Sequence, residues 1–527
     1  MPPLPGFLHR FGFSLLALLI LFPVSPQASD ASACVVLVAV DIEASEVLSS
    51  SESRDLVAPF LGACIDAALT RDLLSALSDR LISNGYVTSR PYLLEQDISD
   101  GQIDIRILAG TVEAIVDADS GESNGKIATA FLFHDEILNL RQLETSLEVI
   151  ERVPSTSARI EIRPGSRQGG SVVAIETRES NPFRFELGVN AQTDLDSQLS
   201  LLINRDNLFD INDVLQFRMN SGEVRENVQS NRSRELNYSF PLGANLLELS
   251  YSDINFEQRV QGSSGSFLSE GETLARRYRI SRVVNRSQSN RLTLALALEL
   301  RDTDNFFEGE PVDVSSYKTS QLQLELQHDW YHPWGRLALS YIYHQGLDSF
   351  GARDDDYFTR ADGADSEARL QFEKFVVDAG AIYYLDGPRW YLDTNLHWQY
   401  SDDILFDSDK LNLGSPYTVR GYASAMSGSN AWYLRHDITW QLQSAGYPFD
   451  AKRQVKSVAL SFGLDYGEVK CEIDNADVCG EIYGAGFGLV VWDSNFSGRL
   501  LWGHPLKEIG DEIGDDNTFL LDLRWVL

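Results

Sequence analysis

The sequence predicts two small α+β modules followed by an all-β transmembrane barrel of about 16 antiparallel strands. Three observations carry this prediction. A short apolar leader opens the chain, and two strand-and-helix patterns follow within residues 34–180. From Phe183 to Leu527, segments of about 10 to 16 residues alternate apolar and polar side chains, as the strands of a membrane barrel do.

The composition excludes several classes of protein. The 527 residues include 44 Lys and Arg against 77 Asp and Glu, which gives a formal net charge of −33. Nucleic-acid binding is not expected, because phosphate recognition needs clustered Lys and Arg. No stretch beyond the leader approaches the ~20 apolar residues of a membrane helix, which excludes helical spanning.

The leader has the pattern of a signal peptide. His9 and Arg10 precede an apolar run, Phe11–Phe22, and small residues follow. We expect a signal peptide over residues 1–28, with cleavage possible as late as residue 33, and export across the inner membrane. An uncleaved membrane anchor is the alternative, but the apolar run is too short for it.

Four cysteines fit two local disulfides in an exported chain. Cys34 and Cys64 flank the first folded segment, and Cys471 and Cys479 bracket a short acidic loop. Exported proteins meet an oxidising compartment, so we expect Cys34–Cys64 and Cys471–Cys479 bonds. Neither pair has a CxxC spacing and no His cluster accompanies them, so no metal site is predicted.

The first module is predicted over residues 34–110. A strand from Val35 to Ile42 is followed by a polar stretch and by an amphipathic helix that opens at Thr70. The helix carries an apolar stripe, and Asn84-Gly85 supplies a left-handed stop. The stripe consists of Leu73, Leu77 and Leu81, and two further strands are expected at Tyr86–Leu93 and Ile103–Leu108.

The second module, residues 111–180, repeats the plan. Asn139 with Gln142 three residues later is a capping-box pattern that predicts the start of a helix. Its apolar stripe comprises Leu140, Leu143, Leu147 and Ile150, and alternating strands are expected at Ala158–Ile162 and Val172–Thr177. Both helical stripes are interpreted as core faces.

The barrel is predicted over residues 183–527. In its last segment, side chains from Phe519 to Leu527 alternate, with large apolar residues on one face and Asp522 and Arg524 on the other. Such segments place apolar side chains against lipid and polar ones in the lumen. An even number of strands returns the chain to its side of entry, so the long connection 404–429, the acidic loop at Asp354 and the cysteine-bracketed loop all face outward.

Two charged residues stand out within this pattern. The long outer loop contains Val419-Arg420-Gly421-Tyr422, and Gly421 frees the backbone beside Arg420. In the thirteenth segment alternation turns Gly463, Asp465 and Gly467 into the lumen, where the glycines leave space around the carboxylate. Arg435 and Asp437 also face inward and are interpreted as ordinary lumen-lining charges.

These residues carry a resemblance. Val419-Arg420-Gly421-Tyr422 looks like the VRG[YF] motif at the tip of the sixth outer loop in the BamA-like superfamily. Phe462-Gly463-Leu464-Asp465-Tyr466-Gly467 resembles the inward-facing motif of the thirteenth strand in that superfamily. The implied site therefore comprises Val419, Arg420, Gly421 and Tyr422 at the loop tip and Phe462, Gly463, Asp465 and Gly467 as its lumenal partner.

Within the superfamily the sequence resembles the TpsB transporters of two-partner secretion, the ShlB/FhaC/HecB group. Residues 84–90 and Gln96-Asp97 are similar to the first periplasmic (POTRA) module of that group, and residues 138–144 and 162–165 are similar to the second. Asp206-Asn207-Leu208 looks like part of the first barrel turn. The resemblance covers nearly the whole mature chain.

The resemblance implies a function as well as a fold. Two POTRA modules, over residues 34–110 and 111–180, would capture a secreted exoprotein of the TpsA type, a haemolysin or adhesin, in the periplasm. The barrel would secrete it by two-partner (type Vb) secretion, and whether it also activates the partner is left open. Arg420 would pair with Asp465 in the pore, which fixes the loop tip there.

The same resemblance implies where the protein is located and what it contacts. The chain is expected to be a monomer in the outer membrane of a Gram-negative bacterium, in contact with lipid and with its POTRA modules in the periplasm. Periplasmic chaperones and the barrel-assembly machinery would act on it during biogenesis. No cofactor, metal or nucleic acid is implied.

Other functions are weaker hypotheses. A BamA-like assembly factor that inserts other barrels is the main alternative, and a porin or nutrient receptor ranks below it because those lack such modules. An enzyme is not predicted, because the sequence contains no HExxH motif and its eight histidines form no cluster with a nucleophile.

Overall fold

Strands dominate the computed structural model, in which 16 long strands close an antiparallel barrel. The structure describes residues 34–43, 47–132, 136–193, 195–222, 230–262, 265–287, 289–355, 368–387, 389–423, 426–442, 457–471, 479–508 and 517–527. The predicted signal peptide lies outside these residues. None of the α-helices in the described ranges is long and apolar enough to cross a membrane.

The first folded unit is a three-stranded sheet with helices packed on it. Its elements are β1 (Ala39–Glu43), α1 (Ser50–Val57), a 3₁₀ turn (Ala58–Phe60), α2 (Ala67–Ser83), β2 (Arg90–Leu93) and β3 (Gln102–Leu108). The sheet order is β1-β3-β2, with β1 parallel and β2 antiparallel to β3. Leu73, Leu77 and Leu81 are fully buried, as the stripe predicts. Cys34 and Cys64 form a disulfide.

Several predicted bounds in this unit are wrong. The polar stretch is in fact α1, which Ser49 caps in a reciprocal bond with Glu52. Helix α2 begins at Ala67 and not at Thr70, because Asp66 accepts hydrogen bonds from the N–H groups of Ala68 and Leu69. The first strand begins at Ala39 rather than Val35, and the second begins at Arg90 rather than Tyr86.

The second module has its own sheet and core. Its elements are β4 (Thr111–Asp117), α3 (Gly125–Ala130), α4 (Leu140–Glu151), β5 (Thr156–Pro164) and β6 (Gly170–Glu179), with sheet order β4-β6-β5. The side chain of Asn139 accepts a hydrogen bond from Arg141 N–H and so caps α4. Leu143 and Ile150 of α4 pack against Val173 and Ile175 of β6 in a fully buried core.

The barrel follows in chain order. Its strands are β7 (Phe183–Gln192), β8 (Leu195–Asp206), β9 (Val214–Gly222), β10 (Ser230–Leu242), β11 (Asn245–Gly262), β12 (Gly265–Arg286), β13 (Asn290–Phe307), β15 (Tyr317–His332), β16 (Gly335–Leu347), β18 (Glu373–Asp386), β19 (Trp390–Tyr400), β23 (Ala431–Gln441), β24 (Ser457–Val469), β25 (Gly480–Trp492), β26 (Phe496–Pro505) and β27 (Thr518–Val526). A two-residue strand, β14 (Glu310–Pro311), extends β13 at the rim, and a 3₁₀ turn (Asp313–Ser315) follows it. Pairing of β27 with β7 closes the barrel.

Alternation along the strands confirms the two predicted faces. On β24 the side chains of Phe462 and Leu464 are 54% and 62% exposed on the outer face, whereas Asp465 on the inner face is 4% exposed. The predicted count of 16 strands and the antiparallel order are therefore confirmed.

The second module is bonded to the first periplasmic turns of the barrel. Asp206, at the end of β8, is fully buried and accepts a hydrogen bond from Ser155 N–H at 2.9 Å, and its carboxylate also pairs with Arg184. Arg152 donates to the Ser239 hydroxyl at 2.9 Å and to the Asn212 carbonyl at 2.5 Å. Burial lowers the pKa of the Arg152 guanidinium. These bonds fix the module to the barrel.

Candidate functional site

The connection between β19 and β23 folds back into the barrel. It contains β20 (Ile404–Leu405), which pairs with β17 (Ala368–Arg369), and a small ladder of β21 (Leu411–Leu413) with β22 (Met426–Gly428). Beyond β21 the chain reaches its tip at residues 419–422. Val419 and Tyr422 are fully buried and Arg420 is 1% exposed, so an outer loop places its tip inside the barrel.

Arg420 is bound by two lumenal carboxylates. Its guanidinium pairs with both oxygens of Asp465, and its own backbone N–H donates to Asp465 Oδ2 at 3.0 Å. Its Nη1 donates to Asp437 Oδ1 at 2.7 Å. Bidentate pairing of a guanidinium with a carboxylate is both strong and geometrically specific, so this contact sets the position of the loop tip.

Arg435 completes a cluster of two cations and two anions. Its Nε lies 3.6 Å from Asp465 Oδ1, and its Nη2 lies 3.9 Å from Asp437 Oδ2. Its Nη1 donates to the Pro416 carbonyl of the loop at 3.1 Å. The interpretation of Arg435 and Asp437 as ordinary lumen-lining charges is therefore wrong, because alternation shows their side of the wall but not their neighbours.

Glycines on three adjacent strands make room for the loop tip. A Cβ at Gly463 on β24 would lie 2.0 Å from Arg420 Nη2, and one at Gly484 on β25 would lie 2.1 Å from the Arg420 carbonyl oxygen. At Gly486 a Cβ would lie 2.6 Å from Arg420 Cδ, and at Gly503 on β26 it would lie 2.6 Å from Gly421 N. At these four glycines the wall presents no side chain to Arg420 and Gly421.

The two residues after Arg420 extend the contact to the last strands. Gly421 has a φ of +90° and its N–H donates to Thr518 Oγ1 of β27 at 3.1 Å. A side chain is excluded at Gly421 by this positive φ and by the backbone of His504, whose carbonyl carbon would lie 2.3 Å from a Cβ. The Tyr422 hydroxyl lies 2.8 Å from the Tyr483 carbonyl oxygen and 2.7 Å from that of Lys507.

The residues predicted on the thirteenth strand divide into two groups. Gly463 and Asp465 contact Arg420, and a Cβ at Gly467 would lie 2.7 Å from Val419 Cγ2. Phe462 instead points outward and packs against Phe487 at 5.2 Å between ring centroids. The structure therefore brings three of the four residues to the loop tip and leaves Phe462 on the outer face.

A second contact holds the base of the loop, and no sequence pattern predicts it. Asp409 is 8% exposed, and its carbonyl accepts hydrogen bonds from Lys374 Nζ at 3.0 Å and from Gln399 Nε2 at 3.1 Å. Its carboxylate lies 3.6 Å from Lys374 Nζ and 3.6 Å from Arg301 Nη1. The loop thus bonds to β13, β18 and β19 at its base and to β23, β24, β25 and β27 at its tip.

A lumenal cavity of about 710 Å³ adjoins the loop tip. Arg420, Tyr417 and Arg435 line it beside the loop, and Asp329 and Trp492 line it near periplasmic turns. Its lining carries side chains of both charge signs, so this part of the lumen is polar.

The part of the chain that the structure describes shows no metal centre. Those residues contain no group of three or more His, Cys, Asp or Glu side chains placed to hold a metal ion. The described cysteines form Cys34–Cys64 and Cys471–Cys479 disulfides.

Comparison with protein families gives one match over most of the chain. Residues 169–491 match the family model described as haemolysin secretion/activation protein ShlB/FhaC/HecB. Residues 35–110 match the ShlB-type POTRA domain, and residues 111–164 match a POTRA domain.

Curated relatives match over nearly the full length. The outer membrane transporter CdiB of Dickeya dadantii (strain 3937) is 29% identical over 484 residues, which cover 90% of this chain and 83% of the relative. CdiB of Escherichia coli O6:K15:H31 (strain 536 / UPEC) is 27% identical and covers 92% and 81%. The haemolysin transporter protein HpmB of Proteus mirabilis is 25% identical and covers 85% and 78%.

Solved structures agree with this fold. CdiB from Escherichia coli superposes with a TM-score of 0.83 at 25% identity, over 96% of this chain and 93% of that one. BamA from Haemophilus ducreyi lacking POTRA domains 1-3 superposes with a TM-score of 0.52 at 12% identity, over 93% and 100%. The second likeness concerns the fold alone.

Proposed function

Because this chain belongs to the haemolysin secretion/activation protein family ShlB/FhaC/HecB, we propose that its POTRA modules capture one exoprotein partner and that the lumenal loop controls the pore. The chain is an outer-membrane transporter of two-partner secretion, with POTRA domains in the periplasm. The observation that carries the proposal is the tip of the outer loop, buried in the lumen and bonded through Arg420 to Asp465.

Capture of the partner would use an open sheet edge. In the described part of the second module, β5 is an edge strand that pairs only with β6, and its nine residues make it the longest edge of either POTRA sheet. An unfolded segment of a TpsA-type exoprotein could add to this edge through backbone hydrogen bonds, as in β-augmentation. No covalent chemistry and no cofactor enter this proposal.

The pore contacts give the loop a role in transport. The loop tip and base together bond to seven strands, so an exoprotein that threads the lumen must pass beside a loop held by buried ion pairs. Removing one partner of such a pair leaves a desolvated charge and costs several kcal/mol. The monomeric state and the help of periplasmic chaperones and of the assembly machinery during biogenesis belong to the same proposal.

The test is export of the N-terminal secretion fragment of a candidate TpsA-type exoprotein. We expect wild type to release the fragment into the medium and Arg420→Ala to release much less at matched outer-membrane levels. Arg336→Ala is the control, because Arg336 is a lumenal arginine that pairs with Asp329 on the neighbouring strand. Equal export by wild type and Arg420→Ala would reject the role of the loop tip, and export by neither would favour a BamA-like assembly factor.

A further inference from the structure

We propose that Arg435 is a replacement counterion for Asp465, which pairs with that carboxylate when the loop tip withdraws and takes Arg420 with it. The inference rests on the proposed function in one respect, which is that the loop tip moves. Arg435 would then be a positioning residue for the moved state, in contrast to Arg420, which holds the loop in place.

The register of the barrel places Arg435 opposite Asp465 independently of the loop. The two residues are direct partners in the ladder between β23 and β24. Opposite charges at directly paired positions attract, and their separation is fixed by the wall. This pair therefore remains when residues 415–422 leave.

In the present state Arg435 is held back from full contact. Its Nε lies 3.6 Å from Asp465 Oδ1, beyond hydrogen-bond length, because the guanidinium of Arg420 already pairs with both carboxylate oxygens. Its best hydrogen bond goes to the Pro416 carbonyl of the loop at 3.1 Å. Arg435 thus contacts the loop and also lies next to the site that the loop occupies.

Charge balance gives the reason for such a residue. With the loop in place two guanidinium groups face two carboxylates, Asp437 and Asp465. Without Arg420, Arg435 is the remaining cation of this cluster. A carboxylate with no exposed side-chain surface, as in Asp465, is costly to leave unpaired, so a neighbouring cation lowers the cost of withdrawal.

Arg435 favours one of the two positions of the loop tip, and which one follows from the kind of hydrogen bond that it gains on withdrawal. With the loop in place Arg435 donates to a neutral carbonyl, whereas after withdrawal it donates to a carboxylate. A hydrogen bond from a guanidinium to a carboxylate joins two opposite charges and can be bidentate, whereas a bond to a carbonyl joins one charge to a dipole. Arg435 therefore stabilises the withdrawn state more than the seated state, and its loss should keep the pore closed.

The experiment is current through the purified full-length protein in planar lipid bilayers, without any exoprotein. We expect Arg435→Gln to lower the fraction of time in the large-conductance state about tenfold, because one charge-assisted bond is lost there. Arg435→Lys keeps the positive charge, so its fraction of time in the large-conductance state should lie between those of wild type and Arg435→Gln. Arg336→Gln, which removes a lumenal charge paired with Asp329, should match wild type.

A change of the open fraction in the opposite direction would show that Arg435 holds the loop in place instead. If Arg435 acts as a clamp on Pro416, Arg435→Gln will raise the open fraction, and that result, or no change, overturns the proposal. In an Asp465→Asn background the effect of Arg435→Gln should vanish, since no carboxylate then needs replacement pairing. Heat-modifiable migration verifies folding, and Arg435→Lys alone tests the sign if Arg435→Gln does not fold. The current needs no partner, so failure of secretion leaves this test intact.

Discussion

Gly484 lies directly beneath Arg420, and a Cβ built on it would stand 2.1 Å from the Arg420 carbonyl oxygen. The barrel wall and the loop backbone are therefore in contact with no side chain between them. A backbone oxygen cannot swing aside as the end of a long side chain can, so any larger residue here must displace the loop or the strand.

The first prediction concerns this contact. Gly484→Ala should push the loop tip off the wall, raise the open fraction in bilayers and lower barrel stability by about 1 to 3 kcal/mol, the usual cost of overpacking. The matched control is Gly380→Ala on β18, where the nearest atom to a Cβ is Asn395 Oδ1 at 3.4 Å. Conductance and the midpoint of heat-modifiable migration measure both effects. Equal behaviour of the two variants would show that the loop does not rest on Gly484.

The second prediction ranks the two carboxylates that bind Arg420. Asp465 has no exposed side-chain surface and receives three donors from Arg420, whereas the Asp437 side chain is 19% exposed and receives one. Asp465→Asn should therefore cost about 3 to 5 kcal/mol of the free energy of unfolding, and Asp437→Asn about 1 to 2 kcal/mol. Urea unfolding of the barrel in detergent gives both values. A larger loss for Asp437→Asn would mean that the bidentate contact is not the principal anchor.

Alternation along β24 is enough to place Asp465 in the lumen, because the period of a strand is two and the outer face carries Phe462 and Leu464. Alternation does not identify what lies opposite. It places Asp437 of the neighbouring strand β23 on the lumenal face, but it does not show that Asp437 joins the cluster. The partner of Asp437 is Arg420, which lies in a loop 17 residues earlier in the chain. The Gly-x-Gly pair at 484 and 486 is a usable signal for a close backbone approach.

Two other features of the structure leave little or no signal in the sequence. Helix α1 buries only Val57, so it has no apolar stripe, and only the Ser49 and Glu52 capping box signals it. Asp409 is one acid among several in its loop, and nothing in its spacing distinguishes it from the neighbouring Asp407, whose side chain is 92% exposed. Its burial depends on Lys374 and Arg301 of distant strands.

The third prediction uses that pair of aspartates. Asp409→Asn removes the carboxylate that faces Lys374 and Arg301 and leaves two buried cations with less counter-charge, so the base of the loop should loosen. We expect more frequent conductance transitions in bilayers and a lower unfolding midpoint. Asp407→Asn makes the same chemical change in the same loop at a 92% exposed side chain, whose pairing with Lys410 stays within the loop, and should change the conductance much less than Asp409→Asn. If both variants match wild type, the loop is held by its tip alone.

The fourth prediction concerns the disulfide of the first module. Cys34 and Cys64 are 30 residues apart, and by loop-entropy arguments closing such a loop contributes about 3 to 4 kcal/mol. Cys34→Ser with Cys64→Ser should therefore accelerate hydrogen exchange in β1, β3 and α2 while exchange in β23 to β26 stays as it was. Reduction of the full chain also breaks Cys471–Cys479, so it should match the double variant in the first module only. Unchanged hydrogen exchange in the first module would show that its hydrophobic core keeps it folded without the disulfide.

The fifth prediction tests the junction of the second module with the barrel. Asp206 is fully buried, accepts the Ser155 N–H and pairs with Arg184, so Asp206→Asn weakens both contacts at once. We expect hydrogen exchange of α4 and β5 to rise about tenfold or more, since buried bonds to a charged group contribute about 1.5 to 3 kcal/mol. Asp119→Asn is the control, because Asp119 is an exposed residue in a turn of the second module. A module whose exchange is the same in both variants would be held by its other bonds, through Arg152 and Asn212, and export of the partner fragment should then be equally unaffected.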